Sequence, residues 1–88
     1  MQIYNKILEI IDEEKYEIFS HAIFDLYFIL NNNAEVNIVQ HADGGAEVMY
    51  DNMVIGELDE FQFNRLHEIY NEQQETIKRK ALLAFLNT

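Results

Sequence analysis

The chain has 88 residues, 49% of them apolar, and sixteen acidic side chains against six basic ones give a formal net charge of −10. That length makes one domain, residues 1–88, and that apolar content excludes an intrinsically disordered chain. There is no cysteine, which excludes disulfides, thiolate chemistry and Cys-based zinc sites, and no motif asks for a cofactor.

The opening MQIYNKILEI lacks the apolar core of a signal peptide, and no apolar run approaches the ~20 residues that span a bilayer. A soluble, cytoplasmic protein is expected. All sixteen acids and three of the six bases lie in residues 1–75, whereas residues 76–88 hold only Lys78, Arg79 and Lys80 as charged side chains. A field of that sign repels nucleic acid and anionic lipid and attracts basic protein surfaces.

Residues 2–20 carry helical spacing. Ile3, Tyr4, Ile7, Leu8, Ile11, Ile18 and Phe19 recur at steps of three and four, with Glu9, Asp12, Glu13 and Glu17 opposite. Lys15 falls inside the apolar stripe and Tyr16 outside it, so a bend or break near Asp12–Lys15 is foreseen. Ile23–Leu30 (IFDLYFIL) is the most hydrophobic run; its β-branched and aromatic content predicts the central strand of a sheet.

Asn31-Asn32-Asn33 reads as a turn, since Asn tolerates left-handed backbone and bonds its own main chain. Glu35–Gln40 and Ala46–Tyr50 alternate as strands around Asp43-Gly44-Gly45, a hairpin signal. After the tight turn at Asp51-Asn52, Met53–Leu58 is the next strand. Asp59 then opens a helix, as an N-cap with Gln62 completing a capping-box pattern. Phe63, Leu66, Ile69, Tyr70, Ile77, Ala81 and Ala84 make its apolar stripe, and Leu82, Leu83, Phe85 and Leu86 fan round its far end.

The sum is an α+β fold, a two-layer α-β-β-β-β-α sandwich with an antiparallel meander. The alternative is α-α-β-β-β-α with residues 16–30 helical. In the meander, Phe24, Leu26, Phe28 and Leu30 point under the helices, and Tyr27, Ile29, Val39, Met49 and Ile55 are candidates for the open face.

Catalytic motifs are missing. Gly44-Gly45 lacks phosphate-loop spacing, and neither His41-x-Asp43 nor His67-Glu68 extends to a metal ligand set. Glu17, His21 and Asp25 would share a face only if residues 16–30 were helical, so no enzyme and no metal site is expected. Binding is better supported. From Glu9 to Glu17 a continuous helix would set acids every ~3 Å, close to the ~3.4 Å spacing of phosphates along one DNA strand.

The leading expectation is therefore a small inhibitor, of the kind that phages direct at host nucleases or defence proteins. It would occupy a basic, nucleic-acid-binding surface of a partner protein by charge mimicry, through Glu9, Asp12, Glu13 and Glu17 and a second group, Glu57, Asp59 and Glu60. The second reading is a non-mimic module, of immunity, regulatory or homodimeric accessory type, binding through apolar sheet and helix surfaces. A homodimer is expected through Leu82, Leu83, Phe85 and Leu86, with no direct nucleic-acid or membrane partner.

Overall fold

The computed structural model describes residues 2–88 as α1 (Ile3–Asp12), β1 (Tyr16–Ala22), β2 (Asp25–Leu30), β3 (Glu35–Gln40), β4 (Ala46–Tyr50), β5 (Met53–Leu58) and α2 (Glu60–Leu86). The strands form one sheet in the order β1-β2-β3-β4-β5, every neighbour antiparallel. The fold is α+β, an antiparallel meander between two helices, with one strand more than the sequence reading placed there.

The extra strand comes from the predicted first helix, which stops at Asp12 instead of running to residue 20. Lys15 N–H donates to Ile10 O at 2.9 Å and Glu14 N–H to Ile11 O at 3.2 Å, the paired bonds of a Schellman stop. The left-handed residue in that stop is Glu14, at φ 52°. Glycine is usual there, and its absence hides the stop from a sequence pattern.

Residues 16–30 contain two strands, so the alternative with a second helix is excluded. In β1, Tyr16 pairs with Leu30 and Ile18 with Ile29, which leaves Glu17 as the extra residue of a β-bulge. Ile23 and Phe24 belong to no strand. They are the two-residue tip between Ala22 and Asp25, 83% and 66% exposed, so Phe24 does not point under a helix. With five strands, β3 is the central one and β2 its neighbour.

The turns form as their chemistry dictates. Asn32 Oδ1 accepts from Ala34 N–H at 2.9 Å, and Asn33 takes φ 68°. Gly44 sits at φ 95° with Asp43 Oδ1 accepting from Gly45 N–H, and Asp51 and Asn52 both hold positive φ, as a tight hairpin requires.

Alternation sends Leu26, Phe28, Val36, Ile38, Ala46, Val48 and Leu58 to one face, where Ile7 and Ile11 of α1 and Phe63 and Leu66 of α2 close the core. At the β1 side an aromatic group fills the space under α2. Phe19 stacks on Phe28 with centroids 4.3 Å apart, and Tyr16 and Tyr70 stand edge-on around them. Each such pair adds about 0.5–1.5 kcal/mol beyond its burial. At the β5 side α1 lies close to the sheet because Gly56 has no side chain; a Cβ there would meet Ile3 Cγ1 at 2.5 Å.

The second helix opens with a complete capping box. Gln62 N–H donates to Asp59 Oδ1 at 2.8 Å, and Asp59 N–H to Gln62 Oε1 at 3.1 Å. The helix has 27 residues, about 40 Å at 1.5 Å per residue, whereas the body beneath it ends much sooner. Its last side-chain tie is the Tyr16 hydroxyl donating to Gln73 Oε1 at 3.1 Å, and every residue from Glu75 on is exposed. Among the described residues, no helix is long and apolar enough to cross a membrane.

Two substitutions test this account. Glu14→Gly relieves the left-handed strain and is expected to raise the stability read from urea melts by about 1 kcal/mol. Gly56→Ala forces α1 away from the sheet and is expected to lower it by about 1–3 kcal/mol. A neutral result for both would contradict the helix stop and the close seat of α1.

Candidate functional site

Both helices lie on the face of the sheet that carries Leu26 and Phe28, so the opposite face has no layer over it. Strand pairing arranges that bare face in rows. Ser20, Tyr27, Asn37, Met49 and Val54 run across all five strands. On one side of them lie Ile18, Ile29 and Glu35; on the other lie Ala22, Asp25, Val39, Glu47 and Glu57.

The middle is apolar. Tyr27, Ile29, Val39 and Met49 take the open face as the sequence alternation predicts, and each is half-buried there. Ile18 and Val54, 48% and 53% exposed, extend the patch to both edges. Ile55 departs from the expectation. It is the unpaired residue of a second bulge, between the pairs Val48–Gly56 and Met49–Val54, and it lines a small apolar hollow beneath α1.

The border is acidic. Asp25, Glu35, Glu47 and Glu57 stand around the patch, and among the described residues no strand carries a lysine or arginine. Glu47 and Glu57 lie directly opposite each other across β4 and β5. Like charges so placed cost a fraction of a kcal/mol to about 1 kcal/mol. Among the described residues, the cationic candidate near them is His41, whose Nε2 lies 3.6 Å from Glu47 Oε1 and carries charge only when protonated. Desolvation of the ring, then the Glu35 carboxylate, push the Tyr27 phenol above its ordinary value.

The acids expected to form a helical track are scattered instead. Glu9 and Asp12 remain on α1, Glu13 is its C-cap, and Glu17 sits in the β1 bulge. Glu9 is also neutralised locally. Hydrogen bonds from Lys6 at 3.2 Å and Lys15 at 3.3 Å hold its carboxyl below the usual carboxylate range. Glu13 lies 2.7 Å from Lys15, whose ammonium it holds above its ordinary value, with Glu9 adding to the effect. Of the second group, Glu57 faces outward from β5, Asp59 is engaged in its cap, and Glu60 is in the first turn of α2.

The Glu17, His21 and Asp25 constellation does not assemble on one face. The His21 ring instead packs on His67 of α2, centroids 4.6 Å apart, with Tyr70 at 5.7 Å. Asp25 faces the other side of the sheet. His67 was not foreseen as a partner of His21, and only the strand assignment of Tyr16–Ala22 would have revealed it. Among the described residues, no group of three or more His, Asp and Glu side chains is placed to hold a metal ion.

Leu82, Leu83, Phe85 and Leu86 lie together on the free end of α2, 57% to 74% exposed. Beside the root of that free end runs a cleft of about 650 Å³ between α2 and the end of α1, lined by Ile11, Asp12, Glu14, Tyr16, Ile69 and Ile77 among others. No protein-family model, no curated protein and no solved structure matches the chain.

The uncompensated pair on the bare face gives a direct test of its electrostatics. Glu57→Thr removes the repulsion with Glu47 and places a β-branched residue in an edge strand. It is expected to stabilise the fold by about 0.5–1 kcal/mol, with the gain shrinking in high salt. Destabilisation in thermal melts at low ionic strength would contradict the pairing.

Proposed function

We propose that this chain is a non-catalytic protein-binding module. Its bare sheet face receives a partner surface that combines an apolar patch with a border of lysine or arginine side chains. The observation that supports this reading is the composition of that face: an apolar centre, carboxylates around it, and no Lys or Arg on the strands beneath. Apolar contact supplies the hold once water is displaced, and the net −10 charge steers a basic partner to it.

A nucleic-acid-binding groove has the required chemistry, so inhibition by occupying such a groove is the form of this function that we favour. Charge mimicry would then run through the sheet acids, since Glu9 and Glu13 are already paired with lysines. The cytoplasm is the proposed setting, because nucleic-acid-binding proteins with basic surfaces are abundant there. The non-mimic reading, in which the acids serve solubility alone, predicts the same contact surface without the salt dependence.

Affinity capture with the full chain as bait, at low and high salt, distinguishes these outcomes. Binding is expected to fall steeply with salt. Met49→Lys and the pair Glu47→Lys with Glu57→Lys are each expected to weaken capture by tenfold or more, whereas Glu13→Lys is expected to leave it unchanged. Circular dichroism of each variant controls for folding. Loss of binding through Glu13→Lys with Met49→Lys unaffected would move the site to α1 and refute the sheet-face proposal.

A further inference from the structure

The two surfaces that the fold leaves uncovered carry opposite charge. Asp25, Glu35, Glu47 and Glu57 border the bare sheet face, and among the described residues its strands carry no lysine or arginine. Residues 76–88 carry Lys78, Arg79 and Lys80 and no acidic side chain. Neither set is satisfied within the chain. Among the described residues the three cations form no ion pair, and of the four carboxylates Glu47 alone has a partner, His41. The earlier acids of α2 are engaged elsewhere, since Arg65 bridges Glu68 at 3.2 Å and Glu72 at 3.5 Å.

The layout of the two surfaces also agrees. At ~100° per residue, Ile77, Ala81, Ala84 and Phe85 form one stripe of the helix, with Lys78 and Lys80 about 80° to either side of its centre. The sheet face repeats that plan with the sign reversed. Tyr27, Ile29, Val39 and Met49 hold its middle, Glu35 lies on one side, and Asp25, Glu47 and Glu57 lie on the other. The free end from Glu75 to Leu86 runs about 18 Å, and strands of five to seven residues span about 17–23 Å. Its stripe continues the line of Phe63, Leu66 and Tyr70, which pack on the molecule's own core. It therefore faces the way they do, past the end of the body. Arg79, Leu82, Leu83 and Leu86 lie on the other side of the helix.

We infer that the bare sheet face is occupied by the free end of α2 from a second copy of this chain. Ile77 and Phe85 lie over the apolar middle, and Lys78 and Lys80 meet the carboxylates at its border. The inference rests on the reading of that face as a receptor for an apolar and cationic surface, and it names one. The contact is reciprocal. A two-fold axis in the plane of the sheet, perpendicular to α2 and beyond the end of the body, turns the second sheet over. Its bare face then lies beneath the first overhang, and the second overhang lies beneath the first bare face. The pair is closed, as two-fold assembly requires. Bare face against bare face would oppose carboxylate to carboxylate, and free end against free end would oppose cation to cation. A foreign basic partner has to displace the helix end, so the second copy controls access to the site.

Sedimentation equilibrium and carbodiimide cross-linking of the full chain test this. Mixing isotope-labelled and unlabelled protein separates links between copies from links within one. A dimer is expected, with links between copies that join Lys78 or Lys80 to Asp25, Glu35, Glu47 or Glu57. Lys78→Glu combined with Lys80→Glu, and Phe85→Ser alone, are each expected to weaken the dimer about tenfold, whereas Leu83→Ser leaves it unchanged. Circular dichroism of each variant controls for folding. Three results would overturn the inference: a monomer throughout the micromolar range, links between copies that avoid the sheet face, or a dimer weakened by Leu83→Ser and not by Phe85→Ser. A monomer that binds phosphatidylserine vesicles through Lys78 and Lys80 would assign the helix end to a membrane and would equally overturn it. The sheet-face reading is judged apart from this. A monomer whose capture of basic protein still falls with Met49→Lys refutes the dimer and leaves that reading standing, whereas Met49→Lys without effect on dimer or capture refutes both.

Discussion

The chain has helix enough to cover one face of its sheet. Ile7 and Ile11 from one helix, with Phe63 and Leu66 from the other, close over Leu26, Phe28, Val36, Ile38 and Val48. A chain of 88 residues hides only about two-thirds of the surface its unfolded form exposes, so no third layer is available. The second face is therefore finished by side chains alone. Its apolar residues shelter one another across the strands, and its carboxylates stand at the border. The long helix follows the same limit, because the sheet beneath it ends at Tyr16 and Gln73 while the helix continues.

The two surfaces left over are opposite in electrostatic kind. One bears a single sign of charge throughout and therefore disfavours its own copy. The other mixes the two signs along α2, with Arg65 bridging Glu68 and Glu72 and with Lys78, Arg79 and Lys80 following Glu75. The total charge is the same in either case; what differs is whether it is mixed along an element or concentrated on one face.

Much of the architecture was legible in the sequence, and the exceptions have physical causes. β3, β4, β5 and the cap of α2 lie where alternation, Gly44, Asn52 and the Asp59–Gln62 pair placed them. The turn chemistry at those points is local, so sequence alone determines it. β1 was misread because its bulge inserts Glu17 into the alternation. Ile18 and Phe19 then continue the helical spacing of Leu8 and Ile11, and the helix stop before them uses Glu14 where a glycine would have announced it. The open-face residues Tyr27, Ile29, Val39 and Met49 were found because alternation survives where there is no bulge. The acids of that face were not grouped, because their adjacency depends on cross-strand register, which a single sequence does not print. Ile23 and Phe24 were misassigned for a different reason: a hairpin tip built from apolar residues is indistinguishable in composition from the strand it joins.

The two bulges have a further consequence. Glu17 and Ile55 are the unpaired residues of β1 and β5, the first and last strands of the sheet. An open sheet ordinarily offers its terminal strands as templates for another chain's backbone, the route by which β-proteins polymerise. A bulge breaks the regular row of N–H and C=O groups and twists the strand out of plane, so an incoming strand finds no continuous ladder. Both ends of this sheet are blunted in that way, and β1 carries a charged side chain at the break. Growth by strand addition is thereby disfavoured at each end of a sheet whose chain is rich in exposed apolar surface.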